Sequence, residues 1–179
     1  IANAAVVVGL SADAGDLLGD NATAYISAPT GLDISADASA TGGFLDIDLV
    51  SGDVVNTGAI AATAIATVDV SLTADGGEGN ALAYITASSD TIDISASASA
   101  FGFGVSITTL DGSFENSGDI DVIANAGLVI SLSANAPTGQ AQAYIVATDS
   151  ISLSAFASAT GLEIDIDDVG GDVTNSGDI

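Results

Sequence analysis

Asp46 and Asp48, together with Asp165, Asp167 and Asp168, are the side chains in this sequence best placed to do chemistry. Asp46, Asp48, Asp165 and Asp167 lie on the polar parity of alternating segments whose apolar partners are Leu45 and Ile47, or Ile164 and Ile166, and Asp168 follows directly. Outward carboxylates in rows suit a hard cation such as Ca2+, which gathers six to eight oxygen ligands. The middle of the chain carries Ser106 and Thr108 at the equivalent positions, so a solvated acidic face is the competing reading. Two carboxylates are also the minimum for glycoside hydrolysis. The sequence contains no His, Lys, Arg or Cys to serve as base, oxyanion stabiliser or nucleophile. Every acid in these sets belongs to a repeated pattern, with no unique cluster, and no catalytic residue is expected.

The same composition restricts partners. There are 21 Asp and 3 Glu against no cationic side chain, a formal net charge of −24. No side-chain salt bridge can form, and solvent ions or bound metal must balance the charge. Nucleic acid is excluded, because its phosphates are neutralised by Lys and Arg. Anionic membrane surfaces are excluded on the same ground, and no apolar run approaches the ~18 residues of a spanning helix. Without cysteine there are no disulfides and no thiolate metal sites. A chain without Lys or Arg offers no cleavage site to trypsin-like proteases, which suits an extracellular location.

High charge often means disorder, but disorder needs low hydrophobicity. Here 48% of residues are apolar and mean hydropathy is +0.56. The elements that position the acids follow from an internal repeat. Ala24-Tyr25-Ile26 recurs at Ala83 to Ile85 and at Ala143 to Ile145, and Asn56-Thr57-Gly58 recurs at Asn116 to Gly118 and at Asn175 to Gly177. Three copies, 1–60, 61–120 and 121–179, make one continuous domain. The first copy carries an enlarged loop between Asp13 and Asn21. Within each copy the hydrophobic period is two, as in Ile34-Ser35-Ala36-Asp37-Ala38-Ser39-Ala40, which specifies strand. Strand-like segments in the third copy begin near Ile120, Ile130, Ala141, Ile151, Leu162 and Val173, separated by turn-forming residues.

A single copy of this composition has too few large side chains for a core of its own. Stacking copies lets each inward row run into the next. The expected fold is therefore all-β, a parallel β-solenoid. Inward Ala cannot fill a wide lumen at interior density, so the cross-section is expected to be flattened or L-shaped. Ile120 to Leu132 resembles Ile151 to Ile166, which divides a copy into halves. That similarity predicts about 30 residues per coil, six coils and a rod of about 29 Å at ~4.8 Å per coil. A coil of about 20 residues is the alternative, supported by the match of Ile130 to Ala134 with Ile151 to Ala155.

Three equivalent columns stand out in this frame. Asn56, Asn116 and Asn175, each followed two residues on by Gly58, Gly118 or Gly177, read as an internal amide ladder rather than a ligand-binding row. Tyr25, Tyr84 and Tyr144 fall on the outward parity, as a lateral contact between rods or as shielding of a sheet face. Ser95, Ser97 and Ser99 belong to outward rows of small hydroxyls.

The segment Asn116 to Ala126, Asn-Ser-Gly-Asp-Ile followed by alternating Ala, resembles the repeats of large secreted bacterial adhesins and filamentous exoproteins. The resemblance implies a parallel β-helix serving as an extracellular or cell-surface scaffold; it names no ligand. Calcium-binding nonapeptide repeats are a different case, since no Gly-Gly-x-Gly-x-Asp series occurs. The chain starts at Ile1 and stops at Ile179 in mid-pattern with no capping segment, as expected of a piece of something longer. The function expected is a structural repeat module that continues end to end, into further repeats or onto copies of itself. Display of outward Ser, Thr and Asp arrays to glycan, mineral or ice is the alternative.

Overall fold

The computed structural model describes residues 1–15 and 20–179, and the described residues contain no helix. None of them therefore forms a helix long and apolar enough to cross a membrane. Four strands recur in each copy. The first copy holds β1 (Ala2–Asp13), β2 (Ala22–Ala28), β3 (Leu32–Val50) and β4 (Val54–Asn56). The second holds β5 (Ile60–Asp75), β6 (Ala81–Ala87), β7 (Ile92–Leu110) and β8 (Phe114–Asn116). The third holds β9 (Ile120–Asn135), β10 (Ala141–Ala147), β11 (Ile151–Val169) and β12 (Val173–Asn175). Equivalent strands stack in parallel, giving four three-stranded sheets. Sheet I is β1-β5-β9, sheet II β2-β6-β10, sheet III β3-β7-β11 and sheet IV β4-β8-β12. The molecule is a parallel β-solenoid.

Register settles the size of the coil. Ile60 pairs with Ile120, Ala81 with Ala141 and Ala96 with Ala155, so each residue meets its counterpart one whole copy away. Each copy is one coil, and the expectations of about 30 or 20 residues per coil are corrected to about 60. Three coils replace six, and the stack rises about 14 Å rather than 29 Å. The half-repeat similarity has another origin. Ile120 to Leu132 lies in sheet I and Ile151 to Ile166 in sheet III, two sheets that touch each other. They resemble one another because both line one lumen, not because one stacks on the other. Side-chain chemistry forbids the shorter coil: a shift of ~30 residues sets Asn116 near Thr86 and Val146, leaving a buried amide without its own kind.

Six short strands per copy were expected; four occur, because Ile130 lies within β9 and Leu162 within β11. Gly127 does not interrupt β9, and Gly161 bends β11 without ending it. In the first loop, sheet I pairs at an offset of 62 residues and sheet II at 59, so coil 1 carries three extra residues there. Positions 16–19 of that loop lie outside the described residues.

The core has two parts. In the larger, inward residues of sheet I (Ala62 to Ala74), sheet II (Ala81 to Ala87) and the first half of β7 (Ile92 to Ala100) pack together. Small Ala64 and Ala66 keep the walls close at one end of this core, while Val68, Val70, Leu72, Ile85, Ile92 and Ile94 fill it elsewhere, all essentially inaccessible. In the smaller, Val105, Ile107, Leu110 and Phe114 close the second half of sheet III against sheet IV. Sheet III bends where the two cores meet. The pairing ladder omits Gly42, Gly102 and Gly161 there. A Cβ on Gly102 would sit against the Gly161 carbonyl oxygen of the next coil, 2.6 Å from Ile120 Cγ2 and 2.7 Å from Val122 Cγ2. The glycine column thus lets the Ile60, Ile120 and Ile179 column close the waist between the cores.

The path also climbs as it winds. Sheet III of one coil contacts sheet I of its own coil and sheet I of the coil that follows. Inward residues of coil 2 are consequently covered on both sides, and those of sheets II to IV in coil 3 on one side only. Ile94 is fully buried, whereas its equivalent Leu153 is 50% exposed on the open face.

Candidate functional site

Each three-residue strand of sheet IV ends in an asparagine, and the chain turns at the glycine two residues on. The turn brings Asn56, Asn116 and Asn175 into one column, with Asn116 completely buried. Asn56 Nδ2 donates to Asn116 Oδ1 at 2.6 Å, and Asn116 Nδ2 donates to Asn175 Oδ1 at 2.6 Å. Asn116 Nδ2 also donates to the Gly118 carbonyl at 3.0 Å, and Asn175 Nδ2 to that of Gly177 at 3.1 Å. The backbone joins in: Ser117 and Gly118 N–H both donate to the Asn56 carbonyl, at 2.8 and 3.2 Å. A Cβ on Gly118 would fall on the Gly58 carbonyl oxygen, and one on Gly177 on that of Gly118, which is why the turn takes glycine. Among the described residues no buried side-chain nitrogen or oxygen lacks a partner. Neutral amides in a closed chain of donors hold coils in register but offer no acid, base or nucleophile.

The tyrosines stack on the outer face of sheet II. Ring centroids of Tyr25 and Tyr84, and of Tyr84 and Tyr144, lie 5.3 Å apart, with planes 10° and 11° from parallel. Within the column the ring faces are spent on one another, which leaves edges and hydroxyls toward solvent. A shallow depression beside it is lined by Asn80, Ala81, Leu82, Gln140 and Gln142, none of them ionisable.

The five candidate carboxylates are not brought together. Asp46 pairs with Ser106 and Ser106 with Asp165, so the two acids are separated by a coil, about 10 Å at two strand spacings. Asp168 stands in register with Thr109 and Leu49. Among the described residues no group of three acids converges on a common point. For the coordination reading of Asp46, Asp48, Asp165, Asp167 and Asp168, parallel register sets Asp46 and Asp165 a coil apart. The pattern has an electrostatic sense. Stacking in register sets like on like about 4.8 Å apart, and like charges directly opposite destabilise a sheet. Asp–Ser–Asp recurs at Asp53, Ser113 and Asp172, where the middle serine also bonds: Ser113 N–H donates to Asp53 Oδ1 at 2.8 Å and Asp172 N–H to Ser113 Oγ at 3.1 Å.

With 24 carboxylates and no cationic side chain, repulsion works against the fold and salt relieves it. Melting temperature is expected to rise by several degrees between about 10 mM and 500 mM NaCl. Ca2+ and Mg2+ should act alike at matched ionic strength. Calorimetry showing an increment specific to Ca2+ would instead favour coordination by the acidic rows.

Two further devices escaped the sequence reading. Asp13 and Asp75 cap the turn after sheet I: each Oδ1 accepts from the N–H two residues on, Gly15 at 2.8 Å and Gly77 at 3.1 Å. Both glycines have positive φ, 70° and 52°. Asn80 N–H donates to Asn21 Oδ1 and Gln140 N–H to Asn80 Oδ1, each at 2.9 Å, a side-chain rung between coils. An amide at the same place in every copy was the available signal. Comparison with protein-family models, with curated proteins and with solved structures finds no match.

Proposed function

We propose that this chain is a non-catalytic structural module of an extracellular fibre or cell-surface adhesin, whose coils continue end to end through open solenoid faces. The observation that carries the proposal is the open face of coil 3. Leu153, Ile151 and Val173 are 50%, 44% and 48% exposed there, while their coil 2 equivalents Ile94, Ile92 and Phe114 are fully buried. A further coil, from additional repeats or from another copy, completes that core and pairs the free strand edges. Heterologous contact that does not close on itself produces filaments. The extracellular setting is supported by the resemblance of Asn116 to Ala126 to adhesin repeats and by the missing Lys and Arg.

Electron microscopy of concentrated protein tests this. Rods many times longer than three coils, with fibre diffraction near 4.8 Å along the axis, are expected. Particles that stay three coils long at high concentration, with both faces open to solvent, would sink the proposal. The columns Ser35–Ser95–Ser154 and Ser39–Ser99–Ser158 favour a second reading, an outward hydroxyl array recognising glycan, mineral or ice. Asp37, Ser97 and Phe156 stack between them and break the regularity. Ice-recrystallisation and glycan-array assays separate the two readings.

A further inference from the structure

We infer that the tyrosine column on sheet II is a site of oxidative cross-linking, where neighbouring phenols join covalently and tie one coil to the next. The inference does not rest on end-to-end growth, because both partners belong to one chain. It starts from what the sequence leaves out. With no Cys, Met, Trp or His, the three tyrosines are the only side chains that give up an electron readily. Oxidising equivalents that reach the chain end at these rings, and parallel register gathers all three into a single stack.

The geometry of the stack favours coupling between rings. Adjacent centroids are 5.3 Å apart and the planes lie 10° and 11° from parallel. Rings nearly superposed by the coil repeat set equivalent carbons about one ring spacing apart, so the carbons ortho to each hydroxyl face those of the neighbour. Tyr25 and Tyr144 are 53% and 38% exposed and Tyr84 is half-buried, which leaves the ring edges room to move and open to an oxidant. The other outward positions of sheet II are Thr23, Ser27, Leu82, Thr86, Gln142 and Val146, none of them acidic. A net charge of −24 meanwhile holds separate chains apart at low salt, so the nearest partner of each ring is in its own chain.

The oxidant is hydrogen peroxide acting through a haem peroxidase. One-electron oxidation removes an electron and the phenolic proton from each of two rings, leaving spin shared between the oxygen and its ortho carbons. Two ortho carbons then form a C–C bond, and the hydrogen displaced from each returns to the oxygen through water. Two phenols and one peroxide give one biphenol and two waters. Each tyrosine has two ortho carbons, so Tyr84 couples to Tyr25, to Tyr144 or to both.

Oxidation of dilute protein at low salt with a haem peroxidase and limiting hydrogen peroxide tests the inference. The monomer band of a denaturing gel is expected to carry dityrosine fluorescence and a mass lower by two hydrogens per bond. Asp-specific proteolysis should then release the Tyr84 peptide joined to that of Tyr25 or Tyr144. Tyr25→Phe, Tyr84→Phe and Tyr144→Phe each leave two tyrosines and keep a ring in the column, so they differ only in spacing. Tyr25→Phe and Tyr144→Phe keep an adjacent pair, and their monomer coupling should stay within about twofold of the unmodified chain. Tyr84→Phe leaves its pair two ring spacings apart, and coupling should fall by about tenfold or more. Circular dichroism confirms that each variant keeps its strand content. The coupled monomer should also unfold at higher urea than before oxidation, because a tie between residues a whole copy apart restricts the unfolded chain. The inference is overturned if the unmodified chain yields no coupled monomer, if the three variants couple equally, or if coupling leaves the urea midpoint unchanged.

Discussion

Replacing Asn116 by alanine should lower unfolding free energy by about 2–4 kcal/mol, read as a fall in urea midpoint at unchanged slope. The reason is its place in the column. Asn116 accepts from Asn56 and donates to Asn175 and to the Gly118 carbonyl, and it alone of the three is fully buried. Truncation removes all three bonds and leaves groups unpaired where water enters poorly; each such group costs about 1–3 kcal/mol. Asn175 is exposed on the open face, so its partners can turn to solvent. Asn175→Ala should therefore cost about 1 kcal/mol or less, the net worth of an ordinary hydrogen bond. Asn116→Asp keeps the shape but loses the side-chain N–H, and should be at least as damaging as alanine. Equal losses at Asn116 and Asn175 would show that the column is incidental to stability.

Gly102→Ala should be worse, at about 3 kcal/mol or more, because overpacking of 1–3 kcal/mol is here forced against backbone. The added methyl meets the Gly161 carbonyl oxygen of the next coil, as well as Ile120 and Val122 at the waist. No rotamer relieves a clash with a main-chain oxygen; only separation of coils does, and that breaks neighbouring pairs. Gly127→Ala is the internal control. Its Cβ would lie 3.6 Å from Thr67 Cγ2, an ordinary contact, in the middle of β9. There alanine should be neutral or stabilise by about 0.5–1 kcal/mol, the entropic cost of glycine in a strand. Thermal melts of the two variants give opposite shifts if the waist is as tight as described.

These two residues also mark how far the sequence could be read. Alternation along Ile34 to Ala40 identified strands, and the recurrence of Ala-Tyr-Ile identified stacking, because both follow from local periodicity. Coil size was hidden by a property of the fold itself. Sheets I and III line the same lumen and so carry similar inward residues, and similarity across the lumen imitates repetition along the axis. Gly161 read as a turn because a glycine near a bend and a glycine in a loop look alike in one dimension. Its purpose lies in the approach of Ile179, eighteen residues later in the chain but adjacent in space. The spacing of the acids was hidden for a related reason. Asp46 and Asp165 are equivalent by repeat, yet equivalence in a stack whose members are one copy apart means distance, not proximity, when the copy between them differs.

That difference makes the copies non-interchangeable. Ser106 and Ser113 in coil 2 act as insulators between charged neighbours, so deleting or duplicating a single repeat would push Asp46 onto Asp165, or Asp53 onto Asp172, or each onto its own copy. A molecule laid on another in continuous register would set Asp165 over Asp46 and Asp172 over Asp53 at the seam. Joints would then add electrical tension to that already borne inside a subunit where Asp13 lies on Asp75 and Asp33 on Asp93, and brine strength would govern whether such joints hold.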